Sequence, residues 1–372
     1  MKQRILFTAA LAALLLAASC GKDDDCGCGL PTDDLIEAEY APEAYALEYP
    51  SWFPRPHLPE DNPLTVAGIE LGRRLFYDPI LSRDSSLSCA SCHNQQLSFA
   101  DGSRFSTGVR GLPGPRSSMA LINLAYNING FFWDGRAATL EAQALHPIED
   151  HLEMDDSWEN VVEKLQRHPD YPARFRQAFG IERKGEITPE LAVKAIAQFE
   201  RTLLSYNTRF EQIAWLQQGW PTDSEQRGRD LFFVEFADQS LDHPGCSHCH
   251  GGFNFTENNF FNNGITNVNN LADFPDKGRG GVNGNIYDNG KFRTPTLRNI
   301  ALTAPYMHDG RFATLEEVLD HYASGGHGVI NEDPNIQPFT LSEQDKRDLI
   351  AFLNMLTDTT FINNPAFKNP FE

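Results

Sequence analysis

The pentapeptide Cys-x-x-Cys-His occurs twice, as Cys89-Ala90-Ser91-Cys92-His93 and as Cys246-Ser247-His248-Cys249-His250. In this pattern the two thiols form thioethers to a heme and the adjacent imidazole is placed to ligate its iron. Read this way, a chain carrying it twice is expected to fold around two covalent hemes and to move electrons. Two other readings use the same cysteines. Joined, the two Cys-x-x-Cys pairs would supply four sulfurs to zinc. A thioredoxin-like pair would need a strand-rich context and leaves the His after each pair unexplained.

The chain has 372 residues, enough for two domains with substantial cores. Met1-Lys2-Gln3-Arg4, the apolar run Ile5 to Ala18, and Ser19 read as an export signal over 1–19, because the run is too short for a membrane span and ends in small side chains. Cys20 stands where a bacterial lipoprotein is acylated, with Ala17 in place of the usual Leu. Residues 20–50 are acidic and carry Pro and Gly without periodicity, so they read as a tether. Cys26 and Cys28 within it stand too close for an unstrained mutual disulfide and are given no catalytic role. The expected place is the periplasm or cell surface, by a lipid anchor on the outer membrane. A formal net charge of −20 argues against nucleic-acid binding and would attract a basic electron carrier.

An internal repeat accompanies the two motifs. Gly72-Arg73-Arg74-Leu75-Phe76 precedes the first by 17 residues, and Gly228-Arg229-Asp230-Leu231-Phe232 precedes the second by 18. Downstream, the octapeptide Asp134 to Glu141 matches Asp309 to Glu316. The same three signals in the same order point to a duplicated heme domain. Helical spacing marks Val66 to Tyr77; Thr139 and Thr314 are candidate N-caps; Thr188-Pro189-Glu190 opens a helix to about Ser205; Ser342 to Leu356 is another. Asn254 to Asn289 reads as loop. The expected fold is all-α, two cytochrome-c-like heme domains in tandem with long loops, over 51–218 and 219–372, separated where Gly219, Pro221 and Asp223 break helix.

These residues resemble the bacterial di-heme cytochrome c peroxidase and MauG family from about Leu58 to Thr357. The specific pieces are the two heme motifs, Phe132-Trp133-Asp134-Gly135-Arg136, Pro147 through Glu153-Met154, and Pro295-Thr296-Leu297-Arg298-Asn299 leading to Pro305-Tyr306-Met307-His308-Asp309-Gly310. The resemblance implies a peroxidatic heme on His93 and an electron-transfer heme on His250, with the C-terminal helix packing back on the first domain. It makes Glu153 and Gln143 distal residues of the first heme. Glu153 would take a proton from hydrogen peroxide and return it to the departing oxygen, and Gln143 would orient peroxide or water. Trp133 would lie between the hemes and relay electrons. The resemblance also implies a calcium ion between the domains, matched by Thr303 and Pro305, with Ser117 where an Asn is expected.

Two departures refine this. Family members carry a sixth-ligand His about 16 residues after the first heme-ligand His; here that place is Val109, with His146 and His151 as other candidates. The second heme's usual axial Met, 14 residues after His308, is Tyr322, as in MauG, with His321 and His327 as alternatives. An anionic oxygen ligand favours ferric iron over ferrous. The expected function is reduction of hydrogen peroxide with electrons from a small cytochrome c or cupredoxin-type donor; homodimerisation is left open. One rival is a MauG-type oxidase of a partner protein, against which stands the lack of a Trp in Asp242-His243-Pro244-Gly245. The other is a non-enzymatic di-heme carrier, which would gain nothing from an open iron.

Overall fold

The computed structural model describes residues 33–37, 39–234 and 244–372. The export signal, Cys20, Cys26, Cys28, Asp242 and His243 therefore lie outside the described residues. From Asp34 to Glu372 the chain forms one compact body. It is mostly helical: the strands among the described residues are Phe260–Phe261 and Phe292–Arg293, paired antiparallel with Phe260 opposite Arg293. No helix among the described residues is long and apolar enough to cross a membrane.

Two helix pairs carry the architecture. Val66–Tyr77 packs on Pro189–Arg201, and Asp223–Phe232 packs on Glu343–Asn354. The starts are as the sequence suggests. Thr65 Oγ1 accepts from Gly68 N, Thr188 from Leu191 N with Pro189 in the first turn, and Ser342 closes a capping box with Asp345. Each pair touches backbone to backbone through the glycine of the repeated Gly-Arg-x-Leu-Phe segment. A methyl group on Gly72 would come within 1.8 Å of the Ala195 carbonyl oxygen, and one on Gly228 within 1.8 Å of the Asp348 carbonyl oxygen.

The Pro189 helix ends at Arg201, earlier than its sequence suggests. Asn123 is the reason: its Oδ1 accepts from Ser205 N at 2.7 Å and its Nδ2 donates to Ser205 O at 3.0 Å, drawing the chain out of helix. Asn299 plays the same part later, accepting from Asp358 N. Both asparagines sit at positive φ, 55° and 57°.

Phe76, Phe99 and Phe199 form a core with Phe361 and Phe367, so the segment after the last long helix crosses to the N-terminal half. Tyr77 Oη donates to Phe367 O and Gln95 Nε2 to Asn364 O. Asp358 holds the crossing: its Oδ2 accepts from Ser205 Oγ, Tyr206 N and Asn207 N.

Two stretches differ from their sequence reading. The stretch read as a tether is docked from Asp34 onward. Leu35 N donates to Glu182 O and its side chain joins the core, and Tyr45 N donates to Leu64 O, because apolar residues among the acidic ones find partners on the body. Asn254 to Asn289 contains the first strand, the short helix Arg279–Asn283 and 3-10 turns. Asn-Asn and Gly-Gly runs hid these elements, since so short a helix is held by its surroundings rather than by propensity.

Candidate functional site

A cavity of about 1070 Å³ occupies the body, near the upper end of single-ligand pockets. It is lined by Cys89, Cys92, His93, Trp133, Gln143 and Glu153, and also by Cys246, Cys249, His250 and Tyr322. Both pentapeptides thus open into one space. No group of three or more His, Cys, Asp or Glu able to hold a metal ion occurs among the described residues, so the cysteine pairs do not join into a zinc cluster.

Each motif histidine is oriented by a backbone carbonyl. His93 Nδ1 is 2.8 Å from Phe99 O and His250 Nδ1 is 3.3 Å from Phe255 O. A carbonyl only accepts, so Nδ1 carries the proton in each ring and Nε2 is left as the donor atom to a metal. Phe99 and Phe255 sit at positive φ, 58° and 50°, which turns their carbonyls to the rings. Burial pushes His250 down to about 4 and lowers His93, so both rings are neutral, as a ligand must be.

Gln143 and Glu153 come from the helix Leu140–Glu149 and the turn after it. Thr139 caps that helix by accepting from Ala142 N. Pro147, inside it, has no N–H to offer the Gln143 carbonyl. Glu153 is half-buried against the cavity. Burial, then the Asp150 carboxylate, push it up to about 7 against the pull of Arg136. Val109 N donates to Glu153 O at 2.8 Å, and Val109 does not line the cavity. Neither do His146, which packs on the Phe132 ring, or His151, which lies beside Asp150.

Tyr322 lines the other end of the cavity, whereas His321 and His327 do not. His321 Nε2 is engaged with Asn263 O at 2.9 Å. Burial pushes the Tyr322 phenol up to about 12, partly offset by the hydrogen bond from Asn263.

Trp133 lies where the two halves meet. Its indole donates to Ser117 O at 2.8 Å, and its carbonyl accepts from Arg293 N at 2.7 Å. Ser117, Thr303 and Pro305 all line the cavity; Ser117 Oγ donates to Met307 O and Thr303 Oγ1 to Ile300 O. The contacts between the halves are reciprocal. Arg279 donates to the carbonyls of Asp134 and Gly135, while Arg104 donates to Asp309 O. Arg116 bonds Asp134 at 2.6 Å and grips Asp276 with two bonds of 2.7 and 2.8 Å.

The family model described as di-haem cytochrome c peroxidase matches residues 66–218. Over 306 residues the chain is 40% identical to the methylamine utilization protein MauG of Methylorubrum extorquens, covering 81% of each. The chain belongs to the di-haem cytochrome c peroxidase family. A cytochrome c551 peroxidase of this family from Nitrosomonas europaea is 34% identical, covering 81% of this chain and 82% of that one. The crystal structure of a MauG-like protein associated with microbial copper homeostasis superposes with a TM-score of 0.81 at 34% identity, over 88% of this chain and all of the other.

Membership in the di-haem cytochrome c peroxidases implies heme c, and the cavity fits it. Four free cysteines border the space beside two neutral imidazoles. Arg298, also in the lining, is buried with Nε and Nη1 lacking any acceptor, although its Nη2 pairs with Glu211. Such orphaned donors suit the carboxylates of a heme. Sequence reasoning missed Arg298 as a cavity residue, and it missed the Arg116 bridge and Glu200, a buried carboxyl in the same lining. Arg298 stood within a quoted motif; the other two carry no local signature.

Proposed function

We propose that this protein is a di-heme c-type peroxidase that reduces hydrogen peroxide to water with electrons from an external donor protein, MauG-like at its second centre. Its two cytochrome-c-like heme domains lie in tandem. Cys89, Cys92 and His93 hold the first heme, and Cys246, Cys249, His250 and Tyr322 the second. Bound there, heme supplies an iron that exchanges electrons and, at the first site, binds peroxide.

The chain's own residues supply the proton chemistry and the order. Glu153 takes the proton from the near oxygen of peroxide and hands it to the departing oxygen, so one carboxyl acts as base and then as acid. A group titrating at about 7 suits both halves of that exchange. Gln143 orients peroxide or water. Val109 has no group to block the iron. Trp133, hydrogen-bonded to both halves, carries electrons between the centres. Tyr322 would hold the second heme's iron as a phenolate, a ligand that would lower that centre's potential relative to Met. A calcium ion on the carbonyl oxygens of Thr303 and Pro305 near Ser117 would have no carboxylate cluster among the described residues to hold it, which makes it a weak site. The chain works in the periplasm or at the cell surface, lipid-anchored at Cys20, where its acidic surface attracts a basic cytochrome c or cupredoxin-type donor.

The observation that carries the reading is Glu153: a half-buried, raised carboxyl in the cavity that His93 also lines, with no further histidine of its half in the lining. Glu153→Gln is expected to slow peroxide turnover by roughly 10²–10⁴-fold with heme content unchanged. Near-normal turnover would remove Glu153 from the reaction. Electron paramagnetic resonance of the oxidised holoprotein is expected to give one high-spin and one low-spin iron; two low-spin signals would mean a blocked first centre.

A further inference from the structure

The helices that close the two pairs face the cavity at equivalent positions. Gly72 meets Ala195 as Gly228 meets Asp348, so Ile196 corresponds to Leu349 and Glu200 to Leu353. All four of these line the cavity. At one end the helix presents two apolar side chains, as burial next to a porphyrin favours. At the other it presents a carboxyl in place of the second. Glu200 is 5% exposed, and its Oε2 has no hydrogen-bond partner. A buried carboxyl without a partner is costly as the carboxylate and less so once protonated, so its proton is held or released according to the charge nearby.

The groups facing Glu200 are few. Arg201, next on its helix, is committed to Glu141 through two bonds of 2.6 and 2.9 Å, and Glu141 belongs to the helix that also bears Gln143. Cys89 of the first motif is the group on the cavity side that feels the Glu200 charge. Burial pushes Glu200 up to about 8, with Arg201 opposing and Glu141 adding. It is thus poised near neutrality, at the edge of a centre whose charge changes by one with each electron.

We propose that Glu200 is a redox-linked proton site of the first heme centre. Its carboxylate takes one proton from solvent when that centre gains one electron from the donor protein, and releases it when the electron leaves. Charge is conserved at the site, because the added electron is matched by the added proton. Glu200 touches no substrate and acts through the potential of the centre, so it is a positioning residue. The inference rests on heme at Cys89, Cys92 and His93 but not on the role of Glu153.

The test is a redox titration of the first centre in the full-length holoprotein at a series of pH values, without peroxide. An added electron raises the affinity of a nearby carboxylate for its proton, so the potential is expected to fall as pH rises above about 8, where the oxidised protein holds Glu200 as its carboxylate. For one proton per electron, a tenfold change in proton activity converts to about 59 mV. Glu200→Gln keeps the shape but cannot exchange the proton, and should flatten this slope while heme content stays normal. A slope unchanged in Glu200→Gln, or absent in the unaltered protein, overturns the proposal. If Glu200→Gln fails to bind heme, redox-difference infrared spectra of Glu153→Gln decide. A carboxyl signal that persists there supports Glu200; one that disappears assigns the proton to Glu153 and overturns it.

Discussion

Glu153 and Tyr322 are both pushed up by burial, with opposite consequences. In the proposed reaction Glu153 starts its exchange as a carboxylate, and its value of about 7 means that this form grows as pH rises through neutrality. The turnover constant kcat/KM for peroxide is therefore expected to climb by about tenfold per pH unit below that value and to level off above it. An acid limb set at ordinary carboxylate values would detach Glu153 from the rate. For Tyr322 the acidic form at about 12 leaves phenolate scarce without a metal. The proposed ligation would then compete with protons, and acidification should release Tyr322 from the iron before it unfolds the protein. Tyr322→Phe is expected to change the low-spin resonance signal at neutral pH; an unaltered signal would hand the ligand role to a neighbouring side chain. The family resemblance pointed to these two residues, because each stands at the family's distance from a motif. Glu200 could not be found this way, since it becomes a counterpart of Leu353 only once the closing helices are superposed.

At the level of elements, the sequence carried the helix starts better than the helix ends. Thr65, Thr139, Thr188, Thr314 and Ser342 each cap a helix through a local hydrogen bond, a signal contained within a few residues. The end at Arg201 depends on Asn123, far away in sequence, so no local pattern could announce it. The repeated glycines were visible as a motif, but their purpose was not. At Gly72 and Gly228 two helices meet with no room for a Cβ, and the neighbouring atom is a backbone carbonyl that cannot swing aside. Gly228→Ala is accordingly expected to destabilise by about 1–3 kcal/mol through overpacking, despite the better helix propensity of Ala. Urea denaturation of the holoprotein reads this directly. A stabilised variant would mean that the helices separate without strain.

Across the whole molecule the halves are joined by exchange. The turn holding Trp133 is gripped by arginines of the C-terminal half, and the turn around His308 by Arg104 and Ser117 of the N-terminal half. Arg116 is central to this exchange. Its guanidinium bridges Asp134, the residue after Trp133, and Asp276 in the stretch that the sequence presented as loop. All three are at least partly shielded, with side chains 17%, 7% and 30% exposed, so solvent and salt screen the bridge less than a surface pair. Arg116→Ala would leave Asp134 without this partner, at a cost of roughly 1–3 kcal/mol, and would loosen the turn that presents Trp133. Asp276→Asn leaves the Arg116–Asp134 bond in place and weakens only the grip from the C-terminal half. If Trp133 carries electrons between centres, rapid-mixing measurements should show Arg116→Ala slowing equilibration between the two hemes more than Asp276→Asn does. Arg116→Lys should fall between unaltered protein and Arg116→Ala, because an ammonium keeps the charge but cannot reproduce the two-bond fork. Equal rates in all three variants would mean that the electron path does not run through the Trp133 turn.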